Sequence, residues 1–107
     1  MREVEPSAWD GLLEQLGLAD AYLRLAYVES AAVLEPGTPL LLEHEGAVFA
    51  AVLREDPADV LSPYGYGGPV GGDRSFWPAY EEWCRERGIV STFVRFHPLF
   101  ANQRGAP

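Results

Sequence analysis

The sequence predicts a mixed α/β (α+β) domain with two amino-terminal helices and a mixed sheet of about four strands. Three observations predict it. Helical periodicity fills the first third of the chain, short apolar runs bounded by turn residues follow, and a further helical segment separates the last two such runs. The 107 residues suit one small domain, with flexible ends expected at residues 1–6 and 101–107.

Ser7 followed by Asp10 resembles a capping box, with Asp standing in for Glu. Trp9, Leu12, Leu13 and Leu16 then recur at helical spacing, and Gly17 reads as the stop. A second helix is expected over about 20–34, carrying Tyr22, Leu25, Ala26, Tyr27 and Ala31, and Pro36-Gly37 ends it. Residues 38–45 and 47–54 read as strands buried over much of both faces, joined by a tight turn at Glu45-Gly46. Val60-Leu61 begins a third strand. Asp73 or Ser75 caps a helix continuing to Arg87, with Phe76, Tyr80, Trp83 and Cys84 (or Arg87) inward and Glu81 facing Arg85. Gly88 ends that helix, and residues 89–96 form the last strand, closed by His97-Pro98. A strand–helix–strand unit makes its two strands parallel, with a right-handed crossover.

Composition narrows the function. The chain has eight Arg, no Lys, sixteen acids and a net charge of −8. All of that charge falls in residues 1–56, whereas 57–107 hold five Arg against five acids. The acidic half repels nucleic acid and anionic lipid, and no basic stripe offsets it, so nucleic-acid binding is not expected. The longest apolar run, residues 47–53, is far shorter than the roughly twenty residues of a membrane span. The polar, acidic start does not read as a signal peptide, so the default expectation is cytoplasmic. Cys84 is the single cysteine and reads as a small buried hydrophobe. His44 and His97 are distant in sequence and belong to no ligand-spacing motif, so no metal is expected.

Two blocks carry the chemistry. Residues 62–72 hold five of the eleven glycines, with two prolines and with Tyr64 and Tyr66 between them. Glycine permits close backbone approach and proline fixes φ, so a shaped loop with exposed amides and two rings is expected rather than a free linker. Such a loop suits an acceptor's polar face or a phosphate; equally, the glycines let the chain cross the sheet while the tyrosines plug it. The spacing of Gly65 and Gly67 lacks the third glycine of a dinucleotide fingerprint. The second block is residues 93–99. Arg95 and His97 alternate onto one face of a strand exit, where Arg95 would clamp a carboxylate or phosphate and His97 would act as a base. The structural alternative pairs Arg95 with Asp59 and leaves His97 capping the strand. Asp59 and Ser62, with Gly65, Gly67 and Gly68, are assigned to organising the loop.

The string Asp59-Val-Leu-Ser-Pro-Tyr-Gly-Tyr-Gly-Gly-Pro69, a helix, and then Phe93-Val-Arg-Phe-His-Pro-Leu99 resembles the FemAB-like branch of the GNAT acyltransferases. The resemblance covers about residues 20–102 and is strongest in the two blocks. It implies a GNAT-like half-domain, the amino-terminal part of a longer transferase. It also implies acyl transfer (N-acetyl- or aminoacyl-) from a thioester or aminoacyl donor to an amine or hydroxyl acceptor. Tyr64, Tyr66 and Arg95 would then bind a small-molecule or peptide acceptor, and His97 is the candidate catalytic residue. Acetyl-CoA or another acyl donor would be held by the full-length protein, chiefly in a carboxy-terminal acyltransferase domain. No donor is expected on this piece alone, which would be inactive. The family's Q/R-x-x-G-x-G/A phosphate loop is missing from residues 62–72, because no Arg or Gln stands there. The competing expectation is a non-catalytic GNAT-like module that binds a partner or dimerises through an exposed sheet edge.

Overall fold

In the computed structural model of the chain, the described residues form eight elements, β1 (Arg2–Glu3), α1 (Pro6–Leu16), α2 (Leu25–Leu34), β2 (Thr38–His44), β3 (Ala47–Arg54), β4 (Asp59–Leu61), α3 (Phe76–Arg87) and β5 (Ser91–Phe93). The structure describes residues 1–18, 23–34, 37–55, 58–62, 68–72 and 74–94. One five-stranded sheet has the order β1-β2-β3-β4-β5, antiparallel throughout except for the parallel pair β4–β5. The expected strand–helix–strand unit is therefore present, with α3 as its helix.

Helices cover both faces of the sheet. β3 is central and buried on both sides, which explains why its sequence is continuously apolar rather than alternating. Its Ala47, Phe49, Ala51 and Leu53 join Leu40, Leu42 and Val60 beneath α3, whose Phe76, Trp77, Tyr80 and Trp83 complete that layer. Its Val48 and Ala50 join Leu41, Trp9, Leu13 and Val28 beneath α1 and α2, with Val52 against Ala31 and Ala32. Phe49 is the hub of the α3 layer, meeting Phe76 and Tyr80 edge-on at 5.7 and 5.4 Å between ring centroids. Trp77 adds to the three aromatic positions expected to face inward, and Cys84 is only half-buried.

The helix ends differ instructively from the sequence expectation. α1 starts with Pro6 at its first turn and Glu5 as N-cap, without a side-chain cap, so Ser7 lies inside the helix. Proline's fixed φ and missing N–H suit that first position. Asp10 instead accepts a hydrogen bond from the Leu25 backbone N–H (2.9 Å) and caps α2, which begins at Leu25 rather than near residue 20. Trp9 Nε1 donates to the Leu23 carbonyl (2.7 Å), fixing the same α1–α2 connection from the core side. Gly17 and Gly88 close α1 and α3 in the left-handed conformation, as their positions predict. Ser75 precedes α3 without a side-chain cap bond to the helix, and Arg85 pairs with Glu82 at 3.0 Å.

The β2–β3 turn is Glu45-Gly46, both at positive φ (49° and 86°), as a two-residue hairpin of right-handed twist requires. Glu43 Oε2 accepts from the Gly46 N–H at 2.8 Å while Oε1 accepts from Arg2 Nε at 2.7 Å. The amino-terminal residues, expected to be a loose end, thus form an edge strand. Arg2 and Glu3 pair with Glu43 and Leu42, Val4 N–H donates to the Leu41 carbonyl (2.8 Å), and Val4 is buried. Arg87, lying over the Trp83 ring, reaches Glu3 Oε2 at 2.6 Å and ties β1 to α3.

Glu43 gives this edge a pH dependence. The Gly46 amide and then Arg2 hold its carboxyl below the ordinary 4.5, against a smaller upward push from desolvation. A depressed folded-state pKa contributes stability that is fully present above pH 4.5 and lost as pH falls through the lowered value. Glu43→Gln should therefore be less stable than the parent by at most about 1 kcal/mol near neutrality. That gap should close as urea midpoints are followed down to about pH 3. A constant gap across the range would remove the carboxylate from the account.

Candidate functional site

The parallel pair brings the starts of both sequence blocks to one end of the pair. Leu61 at the end of β4 stands opposite Phe93 at the end of β5. Because the strands are parallel, Ser62 and Val94, the residues that follow them, lie at the same end of the pair. In open α/β sheets the carboxyl ends of parallel strands are where ligand-binding segments gather. Tyr64, Gly65, Tyr66 and Gly67 lie outside the described residues, as do Arg95 and His97.

Both ends of the first block are fixed. Leu61 pairs with Val52 of β3, and Val70 forms an isolated antiparallel bridge to Val48 of the same strand. The bridge has two hydrogen bonds, Val48 N–H to the Val70 carbonyl (2.8 Å) and Val70 N–H to the Val48 carbonyl (2.9 Å). Nine steps of chain are thus held against four steps of β3, about 13 Å of strand. Ser62, at one anchor, is buried. Gly68, near the other, is buried at φ 96°.

Gly71 and Gly72 lie just past the second anchor. A Cβ on Gly71 would stand 2.7 Å from Leu18 Cδ1 and 2.8 Å from the Gly46 carbonyl oxygen; one on Gly72 would stand 2.7 Å from both Ala47 N and Ala47 Cβ. These two glycines seat the chain on the β2–β3 turn and on Leu18, just past the Gly17 cap of α1. Their presence is explained by close approach within the fold.

Asp59 lies in the β3–β4 hairpin. It begins β4, opposite Arg54, and Arg54 engages both its oxygens, Nε–Oδ1 at 2.9 Å and Nη2–Oδ2 at 2.7 Å. The bond from Arg54 holds its carboxyl below the ordinary value, with desolvation opposing. This bidentate pair closes the β3–β4 hairpin at the end of β4 away from Ser62, and Asp59 acts there as a hairpin clamp. Opposite charges flanking the short stretch from Arg54 to Asp59 were the available signal.

A second polar group lies under α3. Tyr80 Oη and Thr92 Oγ1 are 2.9 Å apart, joining α3 to β5, and the Cys84 thiol interacts with the same pair. Burial pushes both the Tyr80 hydroxyl and the Cys84 thiol up in pKa, so both are neutral and protonated near pH 7. The group reads as a satisfied inter-element bond. His44 is half-buried at the end of β2. Among the described residues no cluster of three or more His, Cys, Asp or Glu is arranged to hold a metal. Among them, too, no helix is long and apolar enough to cross a membrane.

No family model, curated protein or solved structure matches the chain.

Proposed function

We propose that the chain supplies the acceptor side of a GNAT-type acyltransferase of the FemAB-like kind, with Tyr64, Tyr66 and Arg95 binding the acceptor. One observation carries the reading. The only parallel strand pair among the described residues ends at Leu61 and Phe93, which stand opposite each other where the two blocks begin. After β1, the element order α-α-β-β-β-α-β is the one the resemblance implies for the first half of a GNAT domain. Transfer to an amine from an activated thioester needs alignment and oxyanion stabilisation more than a strong base, so His97 has a modest task as proton acceptor from the attacking amine. Acetyl-CoA or another acyl donor would supply the activated carbonyl.

Calorimetric titration of the chain with acetyl-CoA, and separately with amine-bearing acceptors, tests this. Acceptor heat is expected, with affinity about tenfold or more weaker in Arg95→Ala, where a charge-assisted pair is lost, and less reduced in Tyr64→Phe. Both variants should melt with the parent. Absence of heat from every acceptor at millimolar concentration, or acceptor binding unchanged in both variants, overturns the assignment.

A further inference from the structure

The two edges of the sheet are built differently. At the β1 side, the exposed residues Arg2 and Glu3 are charged and tied into ion pairs. Beyond β1, the next position of β2 with the parity of Leu41 is Pro39, which has no N–H to offer. Charge and proline are the devices that blunt an edge against pairing. Among the described residues the β5 side has neither. Val90, Ser91 and Thr92 are exposed (Val90 by 67%) and uncharged, two of them β-branched, and among the described residues no strand lies beyond them.

Hydrogen-bond parity gives this edge a register. Val90 N–H donates to the Ala58 carbonyl (2.8 Å), so positions 90 and 92 direct their backbone groups towards β4. Ser91 and Phe93 therefore direct theirs outward, two donors and two acceptors in one row. An antiparallel copy of the same row, related by a two-fold axis at Thr92, satisfies all four on each chain. Ser91 then exchanges hydrogen bonds with Phe93 of the partner subunit, Thr92 stands across from Thr92 of the partner subunit, and Val90 meets Val94 of the partner subunit. Electrostatics select the same edge. Two copies of a chain of charge −8 repel, but that charge resides in residues 1–56, and the half containing β5 is neutral.

We propose that the β5 edge is a homodimerisation surface, two copies pairing antiparallel through Ser91–Phe93 with Thr92 on the two-fold axis. The proposal does not rest on the acyltransferase reading. A three-residue row makes a weak dimer, populated at high micromolar concentration and above.

Cross-linking and mass test it together. In a Cys84→Ser background, Thr92→Cys should form a disulfide-linked dimer under mild oxidation, because facing positions in such a pair have Cα atoms about 4.5 Å apart. Val90→Cys in the same background should not link to itself, since its two copies are separated by four residues of strand, about 13 Å. Sedimentation of the unaltered chain should rise from 11.8 kDa towards twice that mass with concentration. Ser91→Pro should weaken association about tenfold or more while leaving the melting temperature unchanged, because the lost donor points away from β4. A mass fixed at the monomer value overturns the proposal, as does cross-linking by Val90→Cys as readily as by Thr92→Cys. Exchange protection of the Ser91 and Phe93 amides in the monomer would assign the edge to a strand of the same chain and also overturn it.

Discussion

Replacing Phe49 with alanine will destabilise the domain by about 3–5 kcal/mol, a large part of the roughly 5–15 kcal/mol expected for a chain of this size. Phe49 is fully buried, lies on the central strand and meets three aromatic residues of α3: Phe76, Trp77 and Tyr80. Truncation removes both its transfer free energy and the ring contacts that hold α3 on the sheet, and rigid neighbours on every side prevent the gap from collapsing. Phe49→Leu keeps most of the volume and should cost well under half as much. Urea denaturation followed by tryptophan fluorescence measures both, because Trp77 and Trp83 report the same layer. A loss below about 1.5 kcal/mol for Phe49→Ala would mean that α3 is held by something other than this cluster.

The second large effect is at Gly72. Its φ of 63° costs an alanine about 1–2 kcal/mol by itself, and the new Cβ would overlap the Ala47 backbone nitrogen at 2.7 Å, an atom fixed within β3. We expect Gly72→Ala to lower stability by about 2–4 kcal/mol in total. Gly17→Ala is the internal control. Its φ is 72°, but nothing lies within 4 Å of the added carbon, so it should show the conformational cost alone, about 1–2 kcal/mol. Equal losses at the two positions, read as urea midpoints, would show that the tight seat of Gly72 on the hairpin is absent in solution.

The elements legible in the sequence were those whose cause is local. The Glu45-Gly46 turn, the glycine stops at Gly17 and Gly88 and the two long apolar strands each follow from residues within a few positions of one another. What was not legible depends on partners far along the chain. Two polar residues, Arg2 and Glu3, carry no strand pattern; they are ordered by Glu43 and Arg87, 41 and 84 positions away. Asp10 looked like part of its own helix's cap because spacing shows no tertiary partner, and its acceptor role is towards Leu25. Trp77 escaped the predicted stripe because a wide aromatic layer buries an additional helix position beyond the narrow periodic set. At the candidate site, sequence supplied the two blocks and the parallel pair, whereas the Arg54–Asp59 clamp and the Val48–Val70 bridge came only with the register.

The double attachment of the tyrosine-bearing segment has an evolutionary corollary. Since Leu61 and Val70 are gripped by one strand, residues could be inserted or deleted between them without shifting any neighbouring ladder or disturbing either helical layer. Selection could then retune what this stretch recognises independently of foldability, so homologues should diverge in length there sooner than in the hairpin that grips it.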